Sequence, residues 1–198
     1  LTSPEVSEYF GKILNKWIQK NNLDLNITEF GSGTGSLIEQ IDSENKFAVE
    51  ISSTARGELS KKNIKNFESL KNLTFENSDL VFGNEVLDNI PCSVAIYKDN
   101  KWLEKIVSLE GGVLSYDFVE ARKETLDWIE VNQIKGDENI DIEIQTNIDK
   151  FLENIINKLS PKNILFFDYG FEQKDRGKRK YRSLIRTYKD HHLSVDPI

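Results

Sequence analysis

The chain opens on a helical period. Val6, Phe10, Ile13, Leu14 and Trp17 recur at the spacing that gathers one apolar face. Ser3 stands ahead of them as an N-cap, with Pro4 at the first helical position and Glu5 in the first turn, so "TSPEVSEYFGKILNKWIQKNN" is expected to be a helix. The period then shortens. "LNITEF" reads as a strand, "GSGTG" as a tight loop, and "SLIEQI" as a helix directly behind it. "KFAVEI" is a second strand, "STARGELSKKN" a second helix capped by Ser52 or Ser53, and "SDLVFGN" a further strand. Strand and helix alternate with short connections, which predicts a parallel sheet covered by helices.

The middle of the chain departs from that rhythm. "SVAIYKDNKWLEKIVSLEGG" predicts two strands joined by a turn at 98–101, and "GGVLSYDFV" can add another. "EARKETLDWIEV" can form a helix and "GDENID" a loop. "NIDKFLENIINKLS" gathers Phe151, Leu152, Ile155, Ile156 and Leu159 on one helical face, and "KNILFFDYG" is a buried strand ending in Asp168 and Tyr169. A polar, mostly basic stretch over 174–189 reads as loop. The whole is expected to be one α/β domain over residues 1–198, with helices on both faces of the sheet and an inserted hairpin at about 93–118.

Composition narrows the function classes. Hydrophobic residues make up 38% and charged ones 30%, ordinary values for a globular chain. The net charge of −7 argues against general nucleic-acid binding, so the basic run 174–189 reads as a solvated or protein-docking loop, with contact to RNA phosphate as the lesser alternative. The single cysteine, Cys92, allows no internal disulfide and no thiolate zinc cluster, which favours a reducing, cytoplasm-like compartment. His191 and His192 have no partners at metal-ligand spacing, so no metal is expected. No apolar run approaches the roughly 20 residues that span a bilayer. The chain starts at Leu1 and contains no methionine, and so reads as a fragment or processed form of a longer product.

Glu29-Phe30-Gly31-Ser32-Gly33-Thr34-Gly35 lies between a predicted strand and a predicted helix. Glycines there let the backbone turn sharply and approach a ligand. A dinucleotide fingerprint would place its third glycine at position 36, which is Ser36. The spacing G-x-G-x-G with an acid two residues ahead suits S-adenosylmethionine, whose α-amino group and sulfonium favour nearby carboxylate and carbonyl oxygens. Glu50, closing the second strand, stands where an acid accepts both ribose hydroxyls. "LVFGNEVLDNIP" poses a separate question, because a buried strand runs directly into Asn84, Glu85 and Asp88.

Taken together, "TSPEVSEYFG" (2–11), "TEFGSGTGSL" (28–37), "VEIS" (49–52), "GNEVLDNIP" (83–91), "KWLEKIV" (101–107), "FFDYGF" (166–171) and "RTYKDHHLSVDP" (186–197) resemble the MidA-type class I methyltransferases. That family includes the mitochondrial complex I assembly factor that dimethylates an arginine. Family members have about twice this length, and their loop commonly has proline where Ser32 stands. The resemblance implies a Rossmann-like fold and methyl transfer from S-adenosylmethionine to an arginine of a protein partner. The compartment implied is the bacterial cytoplasm, or the mitochondrial matrix in a eukaryote. It also implies that Glu29, Gly31, Ser32, Gly33, Gly35 and Glu50 bind cofactor, that Ser3 and Pro4 border the pocket, and that Asn84, Glu85 and Asp88 face the acceptor.

Methyl transfer is an in-line displacement, so catalysis is mostly positioning. A guanidinium is protonated at neutral pH, and carboxylates can pin it in a fork with one nitrogen aimed at the methyl. If a helix follows "LVFGN", Glu85 and Asp88 fall on one face of it and form such a clamp. Asp88 as a helix cap, or Glu85 in a structural salt bridge, are the plain alternatives. Asp168 can support the site as a second carboxylate, and Tyr169 can pack over the cofactor. Two other classes stay open: a non-catalytic assembly factor on a methyltransferase fold, and a methyltransferase acting on RNA or a small molecule.

Overall fold

The computed structural model describes residues 7–23, 26–43, 45–170, 172, 185, 187–189 and 192–194. The described chain divides into two compact units, one formed by Leu1–Ile90 with Lys150–Tyr169, the other by Pro91–Asp149 with Gly170–Ile198. Where the sequence suggests one domain carrying a hairpin at 93–118, the inserted part is larger and has a core of its own.

The first unit is built on a five-stranded parallel sheet of order β3-β2-β1-β4-β9. Its strands are β1 (Ile27–Phe30), β2 (Lys46–Val49), β3 (Lys65–Phe67), β4 (Leu80–Asn84) and β9 (Asn163–Phe167). β1 pairs with β2 on one side, Ile27 opposite Lys46, and with β4 on the other, Ile27 opposite Leu80. Both faces are buried, as the near-continuous apolar runs require. On one face Ile27, Ala48, Leu80 and Phe82 pack with Leu14 and Ile18 of helix α1 (Tyr9–Lys20) and Leu59 of helix α2 (Ser53–Lys61). On the other, Phe30, Val49 and Val81 pack with Ile155 and Leu159 of helix α4 (Thr146–Leu159). Each such fully buried large side chain contributes about 1.5–3 kcal/mol. Period-2 alternation therefore puts Ile27 and Glu29 on the α1/α2 side of β1, a placement that matters for the site.

Three expectations change. Helix α1 begins at Tyr9, while Ser3 and Pro4 lie outside the described residues. Its buried side is Gly11, Leu14, Asn15 and Ile18, and Ile13 is exposed. "SLIEQI" is not an α-helix but a single 3-10 turn at Ile38–Gln40. The physical reason is Asn15, whose amide donates to the Gln40 carbonyl at 2.8 Å and whose carbonyl accepts the Asp42 N–H at 3.0 Å. Those backbone groups are thereby satisfied without a helix, and Leu37, Ile38 and Ile41 all reach the core. Helix α2 is capped by Ser52 as expected, its hydroxyl accepting the Ala55 N–H.

In the second unit, β5 (Ser93–Lys98), β6 (Lys101–Glu110), β7 (Val113–Glu120) and β8 (Asp141–Ile144) form an antiparallel sheet of order β7-β6-β5-β8. Asp99 and Asn100 make the predicted turn, both with positive φ, the signature of a two-residue hairpin loop. Helix α3 (Lys123–Val131) supplies Ile129 and Trp128 to a small core with Ala95, Ile142, Ile144 and Trp102. A further antiparallel pair, β10 (Thr187–Lys189) and β11 (His192–Ser194), falls within the expected basic loop and just after it. Among the described residues no helix is long and apolar enough to cross a membrane.

Candidate active site

In an open parallel sheet the chain leaves neighbouring strands in opposite directions at the point where strand order reverses, and a crevice opens at their carboxyl ends. Here that point lies between β1 and β4. A cleft of about 230 Å³ occupies it, lined on one side by Glu29, Gly31, Ser32 and Gly33 and on the other by Asn84 and Glu85. Two groups singled out separately in the sequence thus meet in one place.

The loop is held from outside. Gly31, Gly33 and Gly35 all have positive φ, at 65°, 50° and 85°. The Gly33 N–H donates to Glu50 Oε2 at 2.8 Å, and the Ser52 N–H donates to Glu50 Oε1 at 2.8 Å. The Arg56 guanidinium bonds the carbonyls of Glu50 and Ile51, tying the start of α2 to the same corner. Glu50 therefore anchors the loop, although it is not itself among the residues lining the cleft. Gly35 is turned away from the cleft and packed against Leu59 and Ile64.

Glu29 is the unusual group. It is buried, and its Oε2 has no hydrogen-bond partner. Burial above all, with some help from the Glu50 charge, pushes its pKa up to about 8. A buried carboxyl short of a partner and facing a cleft suits a cationic group, and the ammonium of S-adenosylmethionine fits that need. With Glu50 at the end of β2 and the bare backbone of Gly33, whose missing Cβ faces open space, the residues present suit this cofactor.

Across the cleft the expected helix after β4 is absent. The chain instead makes one 3-10 turn at Leu87–Asn89. Glu85 sits at φ 53°, left-handed for a non-glycine residue, with its N–H donating to the Phe167 carbonyl at 2.8 Å. The common helical face proposed for Glu85 and Asp88 is therefore replaced by a different arrangement. Asn84 and Glu85 line the cleft, whereas Asp88 lies outside its lining and accepts from the Tyr169 hydroxyl at 2.8 Å. Asp168 accepts the N–H groups of Leu87 and Asp88, which caps the turn. Asn89, overlooked in the sequence, also lines the cleft, and its amide bonds the Glu85 carbonyl and the Asp88 carboxylate. Its place in the same "NEVLDN" stretch was the one available signal.

Other candidates fall elsewhere. The thiol of Cys92 is pushed up by burial and by the nearby Glu143, as suits a packed residue more than a nucleophile. Trp17 packs against the first core and Trp102 and Trp128 against the core of the second unit. His191 and most of the run 174–189 lie outside the described residues.

Residues 9–198 match the family described as "Putative S-adenosyl-L-methionine-dependent methyltransferase". A crystal structure of an uncharacterized superfamily protein from Burkholderia thailandensis is similar with a TM-score of 0.82 and 21% identity, covering 100% of this chain and 58% of that one. A second member from the same organism, bound to S-adenosyl-homocysteine, gives 0.81 and 23%, covering 99% and 56%. The chain thus spans little more than half the length of these structures, and the likeness shows a common fold. No curated protein matches the chain.

Proposed function

The chain belongs to this family of S-adenosyl-L-methionine-dependent methyltransferases, and from that premise we propose that it methylates arginine on a protein substrate, as a MidA-type enzyme. The carrying observation is that Asn84 and Glu85 line the same cleft as the Gly31–Ser32–Gly33 loop. Bound S-adenosylmethionine supplies an activated methyl group. Glu29 would hold its ammonium, Glu50 its ribose hydroxyls, and the loop backbone would accommodate its adenosyl part.

The opposite wall is acidic, as a cationic acceptor needs. Glu85 has no hydrogen bond to its carboxylate among the described residues, so it is available to fix a guanidinium. Asp88, shared with Tyr169, and Asp168 add negative charge beside it. As the new N–C bond formed, the S–C bond to the methyl would break and S-adenosylhomocysteine would leave, and the guanidinium nitrogen would give its proton to one of these carboxylates or to solvent. The bacterial cytoplasm, or the mitochondrial matrix in a eukaryote, would be its compartment.

Incubation with methyl-labelled S-adenosylmethionine and cell extract tests the proposal. Methylarginine after acid hydrolysis of labelled protein is expected. Label confined to nucleic acid or small molecules would refute the arginine assignment, and no label at all would favour a partner-binding role.

A further inference from the structure

We propose that Asp168 is a positioning residue of the acceptor wall, holding residues 85–89 in the one conformation that presents Glu85 and Asn89 to the cleft. This rests on the reading of that cleft as the methyl-acceptor site.

Three successive residues at the end of β9 each grip a different part of the segment. The Phe167 carbonyl accepts the Glu85 N–H at 2.8 Å. Asp168 Oδ2 accepts the Leu87 N–H at 2.8 Å and the Asp88 N–H at 3.2 Å, while its Oδ1 accepts the Tyr169 N–H at 3.0 Å. The Tyr169 hydroxyl then donates to Asp88 Oδ2 at 2.8 Å. Asn89 closes the ring by donating to the Glu85 carbonyl at 3.0 Å and to Asp88 Oδ1 at 2.8 Å.

The segment cannot hold this shape by itself. A left-handed non-glycine residue persists only where its surroundings over-determine it. A single helical turn is not self-sustaining, and its first N–H groups have no partner within the turn. Asp168 supplies that partner to two of them at once, so its carboxylate stands between the sheet and the shape of the wall. Tyr169, although 72% exposed, adds a second clamp. The hydrogen bond to Asp88, then partial burial and the charges of Asp88, Glu85 and Asp168, push its pKa up to about 12, which keeps the hydroxyl a donor.

The test compares Asp168→Ala and Asp168→Asn with the wild-type 198-residue chain. Hydrogen exchange by NMR at the Leu87 and Asp88 amides is expected to quicken at least tenfold in the alanine variant and less in the asparagine variant, which keeps one acceptor oxygen. The Tyr169 titration, followed by NMR of its ring, is expected to fall from about 12 in both variants, which lose the Asp168 charge, and to fall further towards 10 in the alanine variant, where Asp88 is released. S-adenosylhomocysteine affinity by calorimetry is expected to stay within about threefold, while methyl incorporation into extract protein falls at least tenfold. Unchanged amide exchange in the alanine variant, with a Tyr169 titration no lower than in the asparagine variant, would overturn the proposal. So would full incorporation despite a disordered turn. If the alanine variant does not fold, the asparagine variant carries the same measurements. Wild-type protein that transfers no methyl refutes the methyltransferase reading instead, and exchange and titration still decide the role of Asp168 in holding the turn.

Discussion

Gly33 and Glu50 are joined by a 2.8 Å hydrogen bond from the loop backbone to the carboxylate closing β2. The turn that would carry the cofactor is thus fastened to the acid that would receive its ribose. Glu50→Ala removes this bond and the one from Ser52 together. Charge-assisted bonds contribute about 1.5–3 kcal/mol each, so S-adenosylhomocysteine affinity is expected to drop by about tenfold or more. Glu50→Gln, which keeps one acceptor oxygen, is expected to fall between. Calorimetry that finds wild-type affinity in both variants would remove Glu50 from the site.

Glu29 gives the protein a pH dependence whose sign follows from its raised pKa. The ordinary value is 4.5 and the folded one about 8, so the folded chain retains a proton that the unfolded chain has lost between those limits. Its stability contribution is full below 4.5 and is lost as pH rises through about 8. Melting temperature is expected to decline across this window in the wild type and to vary less in Glu29→Gln. A cationic ligand favours the ionised form, so S-adenosylhomocysteine binding near neutral pH is expected to release a proton. Binding enthalpies should then differ between buffers of different ionisation heat, and a buffer-independent enthalpy would count against it.

Gly83 and Gly33 separate packing from site effects. A Cβ at Gly83 would lie 2.8 Å from the Phe166 ring and 2.9 Å from the Phe30 carbonyl, where β4 is pressed between β1 and β9. Gly83→Ala is expected to cost about 1–3 kcal/mol of stability, read as a lower denaturation midpoint. At Gly33 the added carbon meets nothing, so Gly33→Val keeps a folded chain, at about 1–2 kcal/mol for the left-handed φ, and blocks cofactor. Retained S-adenosylhomocysteine binding in that variant would show the loop to be misplaced in the scheme.

On the acceptor side, Glu85→Gln and Asp88→Asn are expected to bind S-adenosylhomocysteine like the wild type. Glu85→Gln is expected to lose turnover more severely, since Glu85 lines the cleft and Asp88 does not. Equal activity of both variants and wild type, measured by methyl incorporation, would dismiss the carboxylates from the reaction.

The parts of the fold that local pattern determines were legible. Lys46–Val49 and Leu80–Asn84 carry short apolar runs, and Ile27–Phe30, itself half polar, is announced by the glycine loop directly behind it. β3 and β8 are not legible, because "KNF" and "DIEI" are short and polar with no such loop behind them, and their strand state comes from neighbouring strands. The proposed acceptor wall is legible in composition and not in shape. Nothing near Glu85 announces a left-handed residue, because what enforces it is the end of β9. Asn89 is silent in the sequence for the same reason: its amide acquires a partner only once the turn has folded back on Glu85.

Leu87 and Asp168 are 81 residues apart in the chain. The contacts that the end of β9 makes with residues 85–88 therefore wait for a long loop to close, whereas the bonds of Asn89 to Glu85 and Asp88 are local and β1, its glycine turn and β2 are near neighbours. Contacts of large sequence separation form late, and a separately structured insertion shortens the loop that must be closed. The order of assembly follows: the glycine-loop side of the cleft can be ready early in folding, and the proposed acceptor wall takes its shape only when β9 docks beside β4.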